Sequence, residues 1–449
     1  MEIEELELGD VDMIKKSVKS LLNLVTVEQD SRNNASSPSI YMAPDILRDL
    51  SPSSFKPKMV SIGPLHRGDE NLQAFEGQKV SCLTNLLGRI NVPRDEILRS
   101  CMEEVYNSME RIKACYVWTQ DYNESEIAEM MVMDACFILE FICWYSLPNK
   151  SYSVNNLLSQ TVIFDLVLLE NQIPFFILDQ IYHCTILKEK CTILQDLNEK
   201  PGTPLTKFFH RILGELNLFH QAINIDNIPT NDTPHILSLL HEYYKPPSCI
   251  IPVSSSSSLA IHSAGDLARA GVIFKSNQDP QWEMQMDVTF SRLPCGFGSW
   301  RKPTVRIPIL CVHDFTEVIL RNLIAFELSY QTGNYITSYA CAMDMLVNTP
   351  EDVTKLVESG VLVNDLGSNE EAADLINNIC KNVTSVDSFY DQQWKTLIAH
   401  CNANWPKYIV RLKRNYFNSP WSIIGLGAGI VLFILTLLQT IYTIKAANK

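Results

Sequence analysis

The C-terminal end of the chain constrains its architecture more than any other part. One uncharged apolar run extends from Trp421 to Ile444, after Asn418-Ser419-Pro420. As a helix rising 1.5 Å per residue it would cover about 36 Å, enough to cross a hydrocarbon core of roughly 30 Å with some tilt. A buried core helix of that length would normally carry a polar stripe, and this run has none. Trp421 and Tyr442 stand near its ends, where amphipathic rings favour the headgroup level. Lys407, Arg411, Lys413 and Arg414 precede the run, and Lys445 and Lys449 follow it. The positive-inside tendency then predicts a single-pass membrane protein with the bulk of the chain cytosolic. This pattern does not distinguish the plasma membrane from the endoplasmic reticulum.

Met1 to Asp10 reads MEIEELELGD, acidic and without a secretory signal, so a tail-anchored insertion is expected. The sequons at Asn34, Asn123, Asn149, Asn231 and Asn382 should accordingly carry no glycan. Within the apolar run, Gly425 and Gly429 have the G-x-x-x-G spacing of closely packed helices. The expected partners are therefore the lipid bilayer through 421–444 and a second copy of the chain or another membrane protein.

An apolar content of 46% and a charged content of 20% describe a globular chain of 449 residues with room for real cores. The net charge of −14 argues against a nucleic-acid partner, which needs a concentrated basic face. Thirteen cysteines, an odd count without any C-x-x-C, read as reduced thiols. Neither a disulfide framework, a zinc site nor any other cofactor is expected.

The periodicities predict a mainly α chain with one small antiparallel β-sheet (α+β), plus the C-terminal transmembrane helix. An N-terminal segment with a short helix occupies 1–39, and a mainly helical first lobe 40–245. Prolines at 44, 52, 57 and 64 forbid long helices early in that lobe. The residues 130–147 are apolar nearly all round and predict a central buried helix. A second such helix is predicted over 157–170, and Pro174 should restart a third in its first turn. A linker at 246–262 carries Ser254–Ser258, and an α+β second lobe spans 263–385. Strands are predicted near 271–274, 284–290 and 303–310, with helices at 264–270, 315–330, 334–347, 350–359 and 369–382. A helical stalk at 386–420 leads to the membrane helix at 421–444 and a short tail at 445–449.

No catalytic signature is present: no G-x-S-x-G, no phosphate-binding G-x-x-x-x-G-K-[ST], no H-E-x-x-H. Residues Cys295 to Trp300 form a glycine-containing turn too short to cradle phosphate. The acids inside apolar helices are more informative. Asp134 and Glu140 interrupt one such run, Asp165 and Glu170 another, and Glu327 a third. A buried carboxylate must meet a cation or backbone donors, or become protonated. Arg48, His66, Arg67, Lys79, Arg111 and Arg321 are the candidate partners. A structural ion-pair network is the first reading; an enzyme using these buried carboxylates is the alternative.

Several segments resemble the plant domain-of-unknown-function-247 family. Its entry signature is matched by Pro44-Asp45-Ile46-Leu47-Arg48 and by Val60-Ser61-Ile62-Gly63-Pro64-Leu65-His66-Arg67-Gly68. Its central motifs are similar to Met133 through Glu140 and to Asp165 through Phe175, which includes Glu170, Asn171 and Pro174. Later matches are Ala264 through Val272, Leu320 through Glu327 with Arg321, Asn348 through Val353, and Pro420-Trp421. The chain departs from the pattern at Met42-Ala43, at Leu65 and Arg67, and at Phe75-Glu76. A role needing paired histidines beside Pro64 is therefore not carried over. The resemblance implies a plant-specific, membrane-anchored protein without an established enzymatic activity. Some relatives are associated with self-incompatibility in grasses, which implies recognition or signalling but does not carry over to this chain residue by residue; the expectation is a recognition, signalling or scaffold protein and not an enzyme.

Overall fold

The computed structural model describes residues 16, 18–19, 38–147, 156–188, 191–220, 233–250, 262–278, 280–292, 301–330, 333–383, 388–402 and 420–447. Most of the N-terminal segment 1–39 with its expected short helix, the serines 254–258, the turn 295–300, the basic residues 407–414 and the sequons at Asn34, Asn149 and Asn231 lie outside them. The chain divides into two compact units. The first comprises Met1–Asn217, Ala222–Tyr243 and Glu317–Gly333, and the second Leu218–Gln221, Tyr244–Thr316 and Asn334–Lys449.

The first unit is built around the helix Glu124–Ser146. Asn123 and Glu126 form a reciprocal capping box that starts it, with Glu124 and Glu126 in the first turn favouring the helix dipole. Beyond that turn it is apolar nearly all round, interrupted by Glu129, Asp134 and Glu140, and most residues from Ile127 to Cys143 are buried. Helices Glu76–Gly88, Arg94–Asn107, Phe175–Cys184 and Thr206–Glu215 pack around it. As expected, Pro174 starts a helix, because a first turn has no use for the missing N–H.

The helix expected over 157–170 stops at Asp165. The carbonyl of its last residue and two carbonyls of the turn that follows are taken by side chains further along the chain. Asn171 Nδ2 donates to Asp165 O at 2.9 Å, and Gln172 Nε2 to Leu166 O and Leu168 O at 2.8 Å each. These amides stand in for the missing helical N–H partners and turn the chain.

The second unit contains two small sheets. In the first, β3 (Arg301–Ile307) lies between β1 (Ile273–Ser276) and β2 (Asp287–Arg292), parallel to β1 and antiparallel to β2. The sheet is therefore mixed, which corrects the expected all-antiparallel arrangement. Pro303 pairs opposite Phe290 of β2, while the β1 register begins one residue later at Thr304. A residue without an N–H is thus placed where the strand is paired on one side only. The second sheet pairs β4 (Leu310–Val312) with β5 (Leu362–Asn364) in parallel, which requires a long crossover. Helix Asp391–Asn402 belongs to this unit's core: Trp394, Leu397 and Cys401 are buried, and Gln393 Nε2 donates to Met286 O at 3.1 Å.

The C-terminal expectation is also corrected. Pro420–Ala447 forms one helix of 28 residues. The helix carries the polar residues Thr436, Gln439 and Thr440. Among the described residues no helix is long and apolar enough to cross a membrane. The transmembrane helix at 421–444, the tail-anchored single-pass topology, the membrane localisation and the bilayer contact are therefore not supported. Gly425 and Gly429 lie on this helix with open space where a Cβ would stand.

Candidate functional site

The acids singled out in the sequence, with Glu327 and Arg321, all belong to the first unit. Three of them converge on the turn-rich segment 43–66. Asp165 ends its helix pointing into the amides of Lys58, Met59 and Val60: Oδ1 accepts from Lys58 at 2.9 Å, and Oδ2 from Met59 at 2.7 Å and Val60 at 2.9 Å. Burial raises its pKa to about 6, and the three amide donors only partly oppose that shift. At neutral pH Asp165 is therefore an anion held by backbone dipoles.

Glu170 sits in the turn after that helix. Its Oε1 accepts from Ala43 N at 2.9 Å and meets Arg48 Nε at 3.1 Å. Oε2 lies 2.9 Å from His66 Nε2. Pro44 starts the short helix Asp45–Arg48 by offering its carbonyl to Leu47 and Arg48. That turn brings Arg48 onto the carboxylate.

Asp134, on the central helix, is fully buried together with Lys79. Its Oδ1 is 2.6 Å from Lys79 Nζ, and its Oδ2 accepts from Gly63 N at 2.8 Å. The ammonium also donates to Ser61 O and meets Glu76 Oε1 at 2.8 Å, so all three of its protons are used. Gly63 has φ +72°, and a Cβ there would lie 2.4 Å from Gln172 O. Only glycine fits this approach. Pro64 follows, its carbonyl accepting from Tyr122 Oη at 3.3 Å.

Neutral amides tie these pieces together. Asn171 Oδ1 accepts from Ile62 N at 2.7 Å, while its Nδ2 reaches Val60 O at 3.0 Å. Asn322 Oδ1 accepts from Leu169 N at 2.8 Å, and its Nδ2 donates to Ser54 O at 2.7 Å. Both side chains satisfy backbone groups of a buried turn that has no regular structure to satisfy them.

The other acids lie apart. Glu140 pairs with Arg89, Nη2 to Oε1 at 2.9 Å, and Glu327 with His241 at 3.2 Å. Arg321 donates to Glu317 at 2.7 Å on its own helix. Of the other candidate cations, Arg67 is 3.9 Å from Glu76, and Arg111 stacks 3.7 Å above the Phe176 ring. Arg89 and His241 were not among the cations picked from the sequence. Separations of 51 and 86 residues left no local spacing that would have marked them.

Glu140 also borders a cavity of about 480 Å³. Phe75, Phe137, Phe141 and Trp144 form aromatic walls: Phe75 meets Phe137 edge-on at 5.7 Å, and Phe141 stacks on Phe137 at 6.0 Å and on Trp144 at 6.2 Å. Cys82 lines the same space, its thiol pushed up to about 11 by burial and then by the Glu140 carboxylate. It stays protonated at neutral pH and is a poor nucleophile. Among the described residues no three His, Cys, Asp or Glu side chains are grouped to hold a metal ion.

No solved structure matches the chain. Two Arabidopsis thaliana proteins do. UPF0481 protein At3g47200 is 28% identical over 431 residues, covering 89% of this chain and 85% of its own length. Putative UPF0481 protein At3g02645 is 24% identical over 497 residues, covering 89% of each. The motifs that converge around Lys79, Asp134, Asp165 and Glu170 all lie within residues 40–435, which match the family model described as plant protein of unknown function, and the chain therefore belongs to that family, DUF247.

Proposed function

We propose that the chain is a non-catalytic recognition or scaffold protein whose family motifs serve folding. The observation that supports this reading is the occupancy of the carboxylates. Asp134, Asp165 and Glu170 are each at most 2% exposed, and both oxygens of each are taken by a cation, an imidazole or backbone amides. A group so enclosed reaches no substrate. The enzymatic alternative would have to rest on Glu140, whose cysteine neighbour is held protonated.

Unfolding of Glu170→Ala tests the reading. Removing one partner of a buried pair costs about 3–5 kcal/mol, so the midpoint in urea and accumulation in the cell should both fall sharply. A Glu170→Ala protein as stable as the parent would overturn the structural role and reopen catalysis. Proximity labelling in plant cells should recover the same set of neighbouring proteins in repeated experiments. A labelled set indistinguishable from that of the free labelling enzyme would count against recognition.

A further inference from the structure

Two thiols meet where helix Arg94–Asn107 packs against Phe175–Cys184 in the first unit. Cys101 lies on the buried stripe of the first helix with Ile97 and Val105, and Cys184 is the last residue of the second. Ser100 Oγ donates to Cys184 Sγ at 3.5 Å, which sets residues 100–101 against the end of the second helix. The Cys101 thiol donates to that same sulfur. Both cysteines are free thiols, and neither takes part in the carboxylate network around segment 43–66. Their access differs: Cys101 is fully enclosed, whereas Cys184 is 8% exposed. A small oxidant arriving from solvent therefore meets Cys184 first.

The surroundings divide the roles in the same way. A thiolate, not a thiol, attacks an oxidant. The hydrogen bond from Cys101 holds the Cys184 thiol down to about 6; burial opposes it, Ser100 reinforces it, and Glu104 and Lys188 act in opposite senses. At Cys101 the same hydrogen bond, then burial, keep the proton on sulfur. Burial also pushes the thiols of Cys82, Cys136 and Cys143 up, so they stay protonated at neutral pH. We propose that Cys101 and Cys184 are a redox modification site, which hydrogen peroxide converts to a reversible disulfide. The Cys184 sulfur attacks one peroxide oxygen, the O–O bond breaks, and hydroxide leaves and takes a solvent proton. Cys184 is then a sulfenic acid. The Cys101 sulfur attacks the Cys184 sulfur, the S–O bond breaks, and the Cys101 proton leaves with that oxygen as water. Two electrons have passed from the two sulfurs to the peroxide. This site goes beyond the scaffold reading and does not depend on it, since a scaffold needs no oxidisable pair.

Treatment of the full chain with hydrogen peroxide at neutral pH, alkylation of the remaining thiols and peptide mapping without reductant test the proposal. A linked peptide pair carrying Cys101 and Cys184 should form and should disappear with dithiothreitol. The Cys184 thiol should be consumed about ten-fold faster than that of the exposed Cys249. Cys101→Ser keeps a hydrogen-bond donor but removes the resolving sulfur. In that variant dimedone should trap Cys184 as its sulfenic acid, and no linked peptide should form. Should Cys101→Ser fail to fold, the map of the parent chain decides alone. Absence of the linked peptide, linkage of Cys184 to Cys136 instead, faster loss of Cys249, or a folded Cys101→Ser protein without a dimedone adduct at Cys184 would each overturn it.

Discussion

In the first unit Asp134 and Asp165 are buried on helices and find partners 55 to 107 residues upstream: Lys79, Gly63 and the amides of 58–60. In the second unit Asp352 is buried in the first turn of Pro350–Glu358, and most of its partners are local. Its Oδ2 accepts from Asn348 N, Thr349 N and Thr349 Oγ1 at 3.0–3.2 Å, and its Oδ1 accepts from Gly265 N at 2.7 Å. The first arrangement joins distant segments through charges that have lost water. The second caps a helix near its own start and adds one bond to the first turn of Ala264–Arg269. Titration differs as well. Burial dominates at Asp165 and raises its pKa, whereas at Asp352 burial also acts upward but is outweighed by the surrounding donors, led by Gly265 N.

The largest effect is expected where a cation is lost from the interior. Lys79→Met leaves Asp134 and Glu76 without their ammonium and should cost about 3–5 kcal/mol in denaturant unfolding. Replacing Asp134 by Leu in the same protein should recover part of that loss, because two well-packed apolar side chains avoid the desolvation penalty. A Lys79→Met loss no greater than that of a cap would collapse the contrast between the units.

A middle-sized effect is expected in the pH dependence. Since the folded pKa of Asp165 is raised from 3.8 to about 6, the folded state holds its proton more tightly than the unfolded chain. Stability from this group is full below about pH 4 and is lost as pH rises through about 6, roughly 3 kcal/mol in all. Asp165→Asn removes that slope, so its deficit relative to the parent should shrink between about pH 4 and pH 7 in thermal melts. A deficit that grows with pH would mean that the three amides outweigh burial.

The smallest effect belongs to Asp352→Ala, expected to cost roughly 1–2 kcal/mol as the loss of a charged cap. Here the sign reverses. A depressed carboxyl contributes stability above its unfolded pKa and loses it as pH falls through the folded value. The difference between parent and variant should therefore be present at neutral pH and vanish in acid. A pH-independent difference would show that shape, not charge, holds the turn.

Parts of this arrangement were legible in the residues. The apolar surround of 130–147 and the proline at 174 announced their helices, and Lys79, Arg48 and His66 were recognisable as partners for buried acids. The end of the second helix at Asp165 was not, because it depends on Asn171 and Gln172 folding back onto the carbonyls at and just after its end. Arg89 for Glu140 and His241 for Glu327 were equally hidden. The apolar run at 421–444 pointed to a membrane crossing, yet no helix among the described residues meets that requirement.

The sequence alone determined the helical class of the first unit, the central position of its most apolar helix and the need for every acid in an apolar run to find a partner. These follow from periodicity and from the cost of burying charge, which are local properties of the chain. Only the tertiary structure decided which donor meets which carboxylate, that Gly63 must be glycine because Gln172 O stands 2.4 Å from its absent Cβ, and that Glu140 borders an aromatic cavity. Those facts depend on contacts between segments far apart in the chain, and separation along a sequence carries no record of distance in space.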